Sequence, residues 1–181
     1  MFHLNTFTAM MKYALYDYLP KRFQSMASKE QLLLNQMILD FKDGRNYATR
    51  WAAQSMAYTL QAVDLRDVTI VCIPASSQYA YIRRFKYFTQ LLCSMCNAVN
   101  GFSMIHIHST REKKHLSQAR EAISPLSNAC IDASIRGRKV LVIDDICTTC
   151  ASADLFIDSL KKAGADVVMA MFLAKTRRCW S

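Results

Sequence analysis

The chain has 181 residues, 52% of them apolar and 20% charged, with only 4 Gly and 3 Pro, a composition that excludes a disordered, collagen-like or Pro-rich polypeptide. A chain this long buries about 70% of the surface it exposes when unfolded, so its core needs no staples, and no apolar run approaches the roughly 20 residues that span a bilayer. Lys and Arg number 23 against 14 Asp and Glu, and the resulting charge of +9 favours anionic partners (phosphorylated small molecules, nucleic acid or an acidic protein) without choosing among them.

In chain order, Met1 to Asn5 lack the basic and apolar regions of a signal peptide. The expectation is a cytoplasmic protein whose seven cysteines stay reduced. From Ser28 to about Val63 the hydrophobic period is helical, in two pieces broken at Lys42-Asp43-Gly44-Arg45. Ser28 is placed to cap the first piece, with Leu33, Met37, Ile38 and Phe41 as its apolar stripe. Residues 1–63 are thus expected to form a helical N-terminal extension, packed on an α/β core of residues 64–181 in one structural unit.

The period then changes. Val68 to Ile73 is β-branched, nearly all apolar and stopped by Pro74, the pattern of a strand buried on both faces. A helix is predicted from about Gln78 to Val99, ending at Asn100-Gly101. Phe102 to Ile107 follows as a strand, His108 to Gln118 as a basic loop or weak helix, and Val140 to Ile143 as the strongest strand. Ser152 to Ala163 is predicted as a helix with Ala153, Phe156, Ile157 and Leu160 on one face, closed by Gly164, and Asp166 to Leu173 as the last strand. Short buried strands alternating with helices predict an α/β fold, a mainly parallel sheet with helices on both faces. Ligands bind such sheets beyond the carboxyl ends of the strands, which directs attention to the loops after Ile73, Ile107 and Ile143.

The loop after Ile143 runs Asp144-Asp145-Ile146-Cys147-Thr148-Thr149-Cys150-Ala151-Ser152 into a helix. Carboxylates at the end of a buried strand are expensive to bury for stability alone. Small and hydroxylic residues at a helix N-terminus offer N–H groups, hydroxyls and a favourable dipole to an anion. Together they suit a sugar phosphate, with ribose hydroxyls on Asp144 and Asp145 and a 5′-phosphate on residues 148–152. The plainer alternative is that the two acids cap the helix and Thr148 starts it.

The string Val140 to Ser152 resembles the phosphoribosyl diphosphate (PRPP) signature of type I phosphoribosyltransferases. That signature has four apolar residues, two acids, an apolar and a variable residue, Thr-Thr-Gly, then a small residue and Thr. Asp144 and Asp145 match the acids; Thr148, Thr149, Ala151 and Ser152 match the phosphate loop; Cys150 stands where the family has Gly. Gly serves there because the backbone must approach phosphate or take positive φ, and Cys in a left-handed conformation would cost about 1–2 kcal/mol. The order of Ile38 to Gly44, Ile73-Pro74, Arg83 to Phe85 and Gln118 loosely resembles the ComF-type competence branch, without the four-cysteine module that often opens such proteins.

The resemblance implies displacement of pyrophosphate from PRPP by a nitrogenous base. Asp144 and Asp145 would attend the ribose, and Thr148, Thr149, Cys150, Ala151 and Ser152 the 5′-phosphate. Mg²⁺ would be carried mainly by the ligand's own oxygens. It also implies a pyrophosphate loop at Ala75, Ser76 and Ser77, where a plain turn with Ser77 capping the next helix is an equal alternative. A flexible basic loop is implied at Arg111, Lys113 and Lys114, against the ordinary reading of a solvated turn. The base-recognising part would come from residues 1–63 or the short tail, and apolar surface on the N-terminal helices would suit a homodimer. The competing class is a non-catalytic PRPP- or nucleotide-monophosphate-binding module in DNA uptake or regulation; a third is a basic adaptor with a decayed ligand site.

Two Cys-x-x-Cys pairs, Cys93 with Cys96 and Cys147 with Cys150, raise a zinc site. The first pair reads as helix packing, and zinc on the second would destroy the anion loop; His106 and His108 share a strand face without an evident third ligand. A redox pair at Cys147 and Cys150 is the livelier reading, since a thiol at a helix N-terminus is acidified. Arg83, Arg84 and Lys86 lie among Tyr79, Tyr81, Phe85, Tyr87 and Phe88, a mixture found on single-strand-binding surfaces. On a sheet-covering helix most of those aromatics belong to the core, so no motif supports direct nucleic-acid binding.

Overall fold

The computed structural model describes residues 11–107 and 129–177. Its strands are β1 (Met11–Tyr18), β2 (Val68–Cys72), β3 (Val99–Asn100), β4 (Ile105–Ile107), β5 (Ala129–Ile131), β6 (Lys139–Cys147) and β7 (Asp166–Thr176). Five of them form one parallel sheet in the order β1-β7-β6-β2-β3, and β4 and β5 make a separate antiparallel pair. The helices are α1 (Lys29–Lys42), α2 (Asn46–Leu60), α3 (Gln78–Tyr81), α4 (Tyr87–Cys96) and α5 (Ala151–Lys162). A single π turn, Ile82–Lys86, joins α3 to α4.

Every residue of β2 is buried, as are Val140 to Ile143 of β6, so both faces of the central strands are covered, as their unbroken apolar runs predict. From the adjacent pair β6–β2, the chain steps outward to β3 on one side and to β7 on the other. Right-handed crossovers in opposite directions put α3–α4 and α5 on opposite faces. In such sheets the place for a ligand crevice is where the strand order reverses, beyond the carboxyl ends of β2 and β6. The two strands are still joined there, Ile73 N–H donating to the Ile143 carbonyl at 2.9 Å.

The core beside this crevice is aromatic. Phe41 of α1 meets Phe88 of α4 at 5.0 Å between ring centroids, and Tyr81 meets Phe85 edge-on at 5.6 Å. All four side chains are essentially inaccessible, and each contributes about 1.5–3 kcal/mol by leaving water. Tyr81, Phe85 and Phe88 are therefore core, while Tyr79 is exposed.

Several boundaries differ from the sequence expectation. Residues 11–18, read as part of a helical extension, add a parallel edge strand against β7, so the first 63 residues supply a sheet strand as well as two helices. The half-exposed β1 has no strong periodicity of its own and depends on its partner. Leu33 is 68% exposed and lies outside the α1 stripe, whereas Ser28 caps α1 as expected by accepting from Gln31 N–H. The helix after β2 stops at Cys96 because Asn97 adopts a left-handed φ of 54°, and its N–H and that of Ala98 both donate to the Cys93 carbonyl. Val99 and Asn100 are thereby freed to pair with β2. Phe102–Met104 is a 3₁₀ turn, so that strand begins only at Ile105. β6 and β7 run further than predicted, through the acidic pair and to Thr176, because each completes the other's ladder.

Candidate functional site

The acids sit inside a paired strand, since Asp144, Ile146 and Cys147 are in register with Phe172, Ala174 and Lys175. Successive strand side chains point to opposite faces, so the two carboxylates part company. Asp145 is 4% exposed, and its carboxylate lies 2.8 Å from Nη1 of Arg84, in an ion pair rather than an aligned hydrogen bond. Its other oxygen accepts Ile146 N–H at 2.6 Å. Asp144 is only partly buried, and its Oδ1 accepts Asp145 N–H at 2.9 Å. Burial first, and the charge of Asp145 second, push the Asp144 carboxyl well above its ordinary range, with Arg84 pulling the other way. A carboxyl held towards its neutral form both donates to and accepts from a hydroxyl.

Arg84, which the sequence reading left unassigned, is the cation that meets this acidic pair. Its Nε donates to the Lys42 carbonyl at the end of α1, at 3.1 Å, so one guanidinium ties α1, the π turn and β6 together. The π turn supplies the placement, as such turns often do at functional sites. Gly44 lets the α1–α2 connection seat against it: its φ is +70°, and a Cβ there would lie 2.5 Å from the Arg83 carbonyl oxygen. A signal was available, because Arg84 falls on the Tyr81–Phe85–Phe88 stripe, a face that otherwise enters the core. Its neighbours Arg83 and Lys86 are exposed, Arg83 standing 3.6 Å from Asp43.

Beyond β6 the chain turns sharply into α5. Cys150 takes φ 60°, ψ 8° immediately before the helix; among the described residues only Asn97 shares this left-handed region without being glycine. Position 150 thus has the backbone for which a glycine is suited. Thr148, Thr149, Ala151 and Ser152 are exposed. Thr149 Oγ1 accepts Ala151 N–H at 3.4 Å, and the Thr148 and Thr176 hydroxyls meet at 3.0 Å. An open cavity of about 440 Å³ is lined by Asp17, these threonines, Cys150, Lys175 and Arg177. Lys175 and Arg177 were not expected here, because the last strand was predicted to stop at Leu173.

The expectation of reduced thiols fails for one pair. Cys147 and Cys150 form a disulfide, with Cα atoms 5.1 Å apart; the left-handed turn brings them within the range a disulfide spans. Cys72, Cys93, Cys96 and Cys130 are free. Cys93 and Cys96 lie in α4, and burial pushes the Cys93 thiol up to about 12, which suits packing and not reactivity.

Ala75 is buried and Ser76 and Ser77 are exposed, next to the end of β6. Ser77 caps α3 by accepting Ala80 N–H at 3.2 Å, which leaves backbone groups as the main resource of this loop. Arg111, Lys113 and Lys114, with His108, lie outside the described residues. His106 is 4.0 Å from Asp132. Among the described residues no group of three His, Cys, Asp or Glu stands close enough to hold a metal ion, and no helix is long and apolar enough to cross a membrane.

No family model matches the chain, and no curated protein matches it. Among solved structures it is similar to a hypoxanthine-guanine phosphoribosyltransferase from Bacillus anthracis, at 13% identity over 74% of each chain with a TM-score of 0.41. It is also similar to a hypothetical protein from Neisseria gonorrhoeae with bound ppGpp, at 10% identity over 94% of this chain and 74% of that one, TM-score 0.42. A hypoxanthine phosphoribosyltransferase from Trypanosoma cruzi aligns at 15% identity over 80% of this chain and 74% of its own, TM-score 0.39. At TM-scores of 0.39–0.42 the likeness carries no argument, and a functional reading rests on the residues of this chain.

Proposed function

We propose that this chain is a phosphoribosyltransferase-like protein that binds PRPP or a nucleotide monophosphate and transfers the phosphoribosyl group to a nitrogenous base. The observation that carries the reading is the sequence of events at the end of β6. Two acids at the crevice are followed by a left-handed turn that opens the N-terminus of α5 onto a cavity holding Thr148, Thr149, Lys175 and Arg177. A 5′-phosphate would take the Thr148 and Thr149 hydroxyls and the N–H groups of Cys150, Ala151 and Ser152, with the helix dipole and the two basic side chains adding charge. Asp144 would hydrogen-bond the ribose, and Asp145 would act beside it from its ion pair with Arg84.

In the transfer the C1′–N bond forms as the C1′–O bond breaks, pyrophosphate leaving with the electron pair. Catalysis of such a step is mostly positioning and electrostatics. Backbone N–H groups of Ala75, Ser76 and Ser77 would grip the pyrophosphate, and Arg111, Lys113 and Lys114 would neutralise its charge. Mg²⁺ takes hard oxygen donors and keeps several waters; the Thr148 and Thr149 hydroxyls are oxygens of that kind, whereas Asp144, held towards its neutral form, is a poor ligand. Bound on the ligand's oxygens, that ion would lower the charge of the leaving group. A homodimer through exposed apolar side chains of α1 and α2, among them Leu33, Tyr47 and Tyr58, is part of this reading.

A second reading, ligand binding without transfer in DNA uptake or regulation, is favoured by the burial of Asp145 against Arg84, which withdraws one acid from the crevice. A thermal-shift titration with PRPP and Mg²⁺, followed by a pyrophosphate-release screen over bases, tests both. At a hundred times Kd the ligand stabilises by about 2.7 kcal/mol, a rise of about 5–10 °C for a chain this size. Asp144→Asn and Lys175→Ala should each shrink the rise. Release with some base supports transfer; a saturable shift without release supports the second reading; no shift up to millimolar ligand refutes both.

A further inference from the structure

We infer that the Cys147–Cys150 disulfide is a redox latch on the phosphate loop, tightening ligand binding when formed and weakening it when reduced. The inference rests on the proposed PRPP or nucleotide site and adds its regulation. Three observations meet at one residue. Cys150 occupies the left-handed backbone that opens α5, it lines the cavity beside Thr148 and Thr149, and it is covalently tied to Cys147. Cys147 is itself anchored in the sheet: it is 3% exposed and in register with Lys175 in the β6–β7 ladder.

What holds residue 150 in place decides how ready the loop is for ligand. A glycine takes φ of 60° freely, whereas a residue with a Cβ disfavours it by a factor of about 5–30 in an equilibrium constant. In the oxidised chain the bond to a rigid strand imposes the conformation, and the N–H groups of the loop are arranged before ligand arrives. In the reduced chain the same residue is free to relax towards negative φ. Ligand must then restore the turn, and the affinity falls by the population of the competent state.

The chemistry balances with a peroxide as oxidant. Cys150, the more exposed of the two, attacks one peroxide oxygen; its S–O bond forms, the O–O bond breaks and the first water leaves. The Cys147 sulfur then displaces the second oxygen as water, closing the S–S bond. Two electrons pass from the pair of sulfurs to the peroxide, and both thiol protons end in water. A dithiol reductant returns two electrons and two protons and reopens the latch.

The test is calorimetric titration of the full-length protein with PRPP and Mg²⁺, fully oxidised by hydrogen peroxide or fully reduced, with each state verified by the count of alkylatable thiols. Oxidised protein should bind about 5- to 30-fold more tightly than reduced protein. Cys147→Ser should bind with the weaker affinity under both conditions. Cys150→Gly cannot form the bond and should bind as tightly as the oxidised chain under both conditions, because glycine holds the turn by itself; binding at the weaker, reduced level would overturn the latch. Equal affinity in the two states of the unmodified chain, or tighter binding when reduced, overturns the latch and leaves the ligand site standing. Absence of binding in both states and in Cys150→Gly overturns the site and the latch with it. Thermal melts of each variant separate a loss of binding from a loss of fold.

Discussion

Replacing Arg84 by Met is the most direct probe of how the site is held. The Arg84 and Asp145 side chains are 12% and 6% exposed at 2.8 Å, so removing the guanidinium strands a carboxylate in a nearly water-free place. Breaking a buried pair from one side costs about 3–5 kcal/mol, and loss of the Nε bond to the Lys42 carbonyl adds about 1 kcal/mol. With a urea dependence of about 2 kcal/mol per molar, the midpoint of unfolding should fall by about 2–3 M. The double variant Arg84→Met, Asp145→Leu removes both charges, and apolar replacement of a buried pair is often neutral or better. It should be more stable than either single variant, which requires a coupling in the cycle larger than the Arg84→Met loss itself, at least about 4 kcal/mol. If the double variant instead loses the sum of the two single losses, to within about 0.5 kcal/mol, the pair is uncoupled. Asp145 would then stand free for a ligand, and binding without transfer would lose its support.

Asp144 predicts a pH dependence. Its folded pKa is raised by burial and by the charge of Asp145, so the folded state binds the proton more tightly than the unfolded one. Stability should therefore fall as pH rises from about 4, the unfolded carboxylate value, through the raised folded value. Asp144→Asn should flatten that decline in melts recorded between those limits; an unchanged slope would assign the effect to other groups. Gly44→Ala combines a left-handed φ with a Cβ 2.5 Å from the Arg83 carbonyl, where backbone has little room to give. It should cost at least about 2 kcal/mol, lowering the melting temperature by about 4–8 °C; an unaltered melt would mean that the α1–α2 turn does not seat on the π turn.

Much of the architecture is local in origin. The unbroken apolar runs at Val68–Cys72 and Val140–Ile143 announce strands covered on both faces, because a run with no polar alternation has no side to show water. The face Ala153, Phe156, Ile157 and Leu160 of α5 is buried as its spacing requires. Boundaries set by backbone conformation were legible only in part: Asn97 ends its helix as effectively as the glycine four residues later was expected to. β1 escaped because an edge strand buries little and takes its order from β7, far away in the chain.

At the site, sequence alone determined the residue types: two acids on a strand, a hydroxylic turn, and a helix start with cysteine where glycine would be easier. Tertiary structure decided which way each side chain serves. The strand pleat separates Asp144 from Asp145; the α1–α2 turn and the π turn carry Arg84 to Asp145; and β7 extends far enough to bring Lys175 and Arg177 to the cavity. The left-handed backbone at Cys150 determines that Cys147 is within bonding reach. Spacing within a helix or strand follows from a few neighbouring dihedrals and is written along the chain, whereas the company a buried charge keeps is set by elements distant in sequence that meet only when the sheet closes over its core.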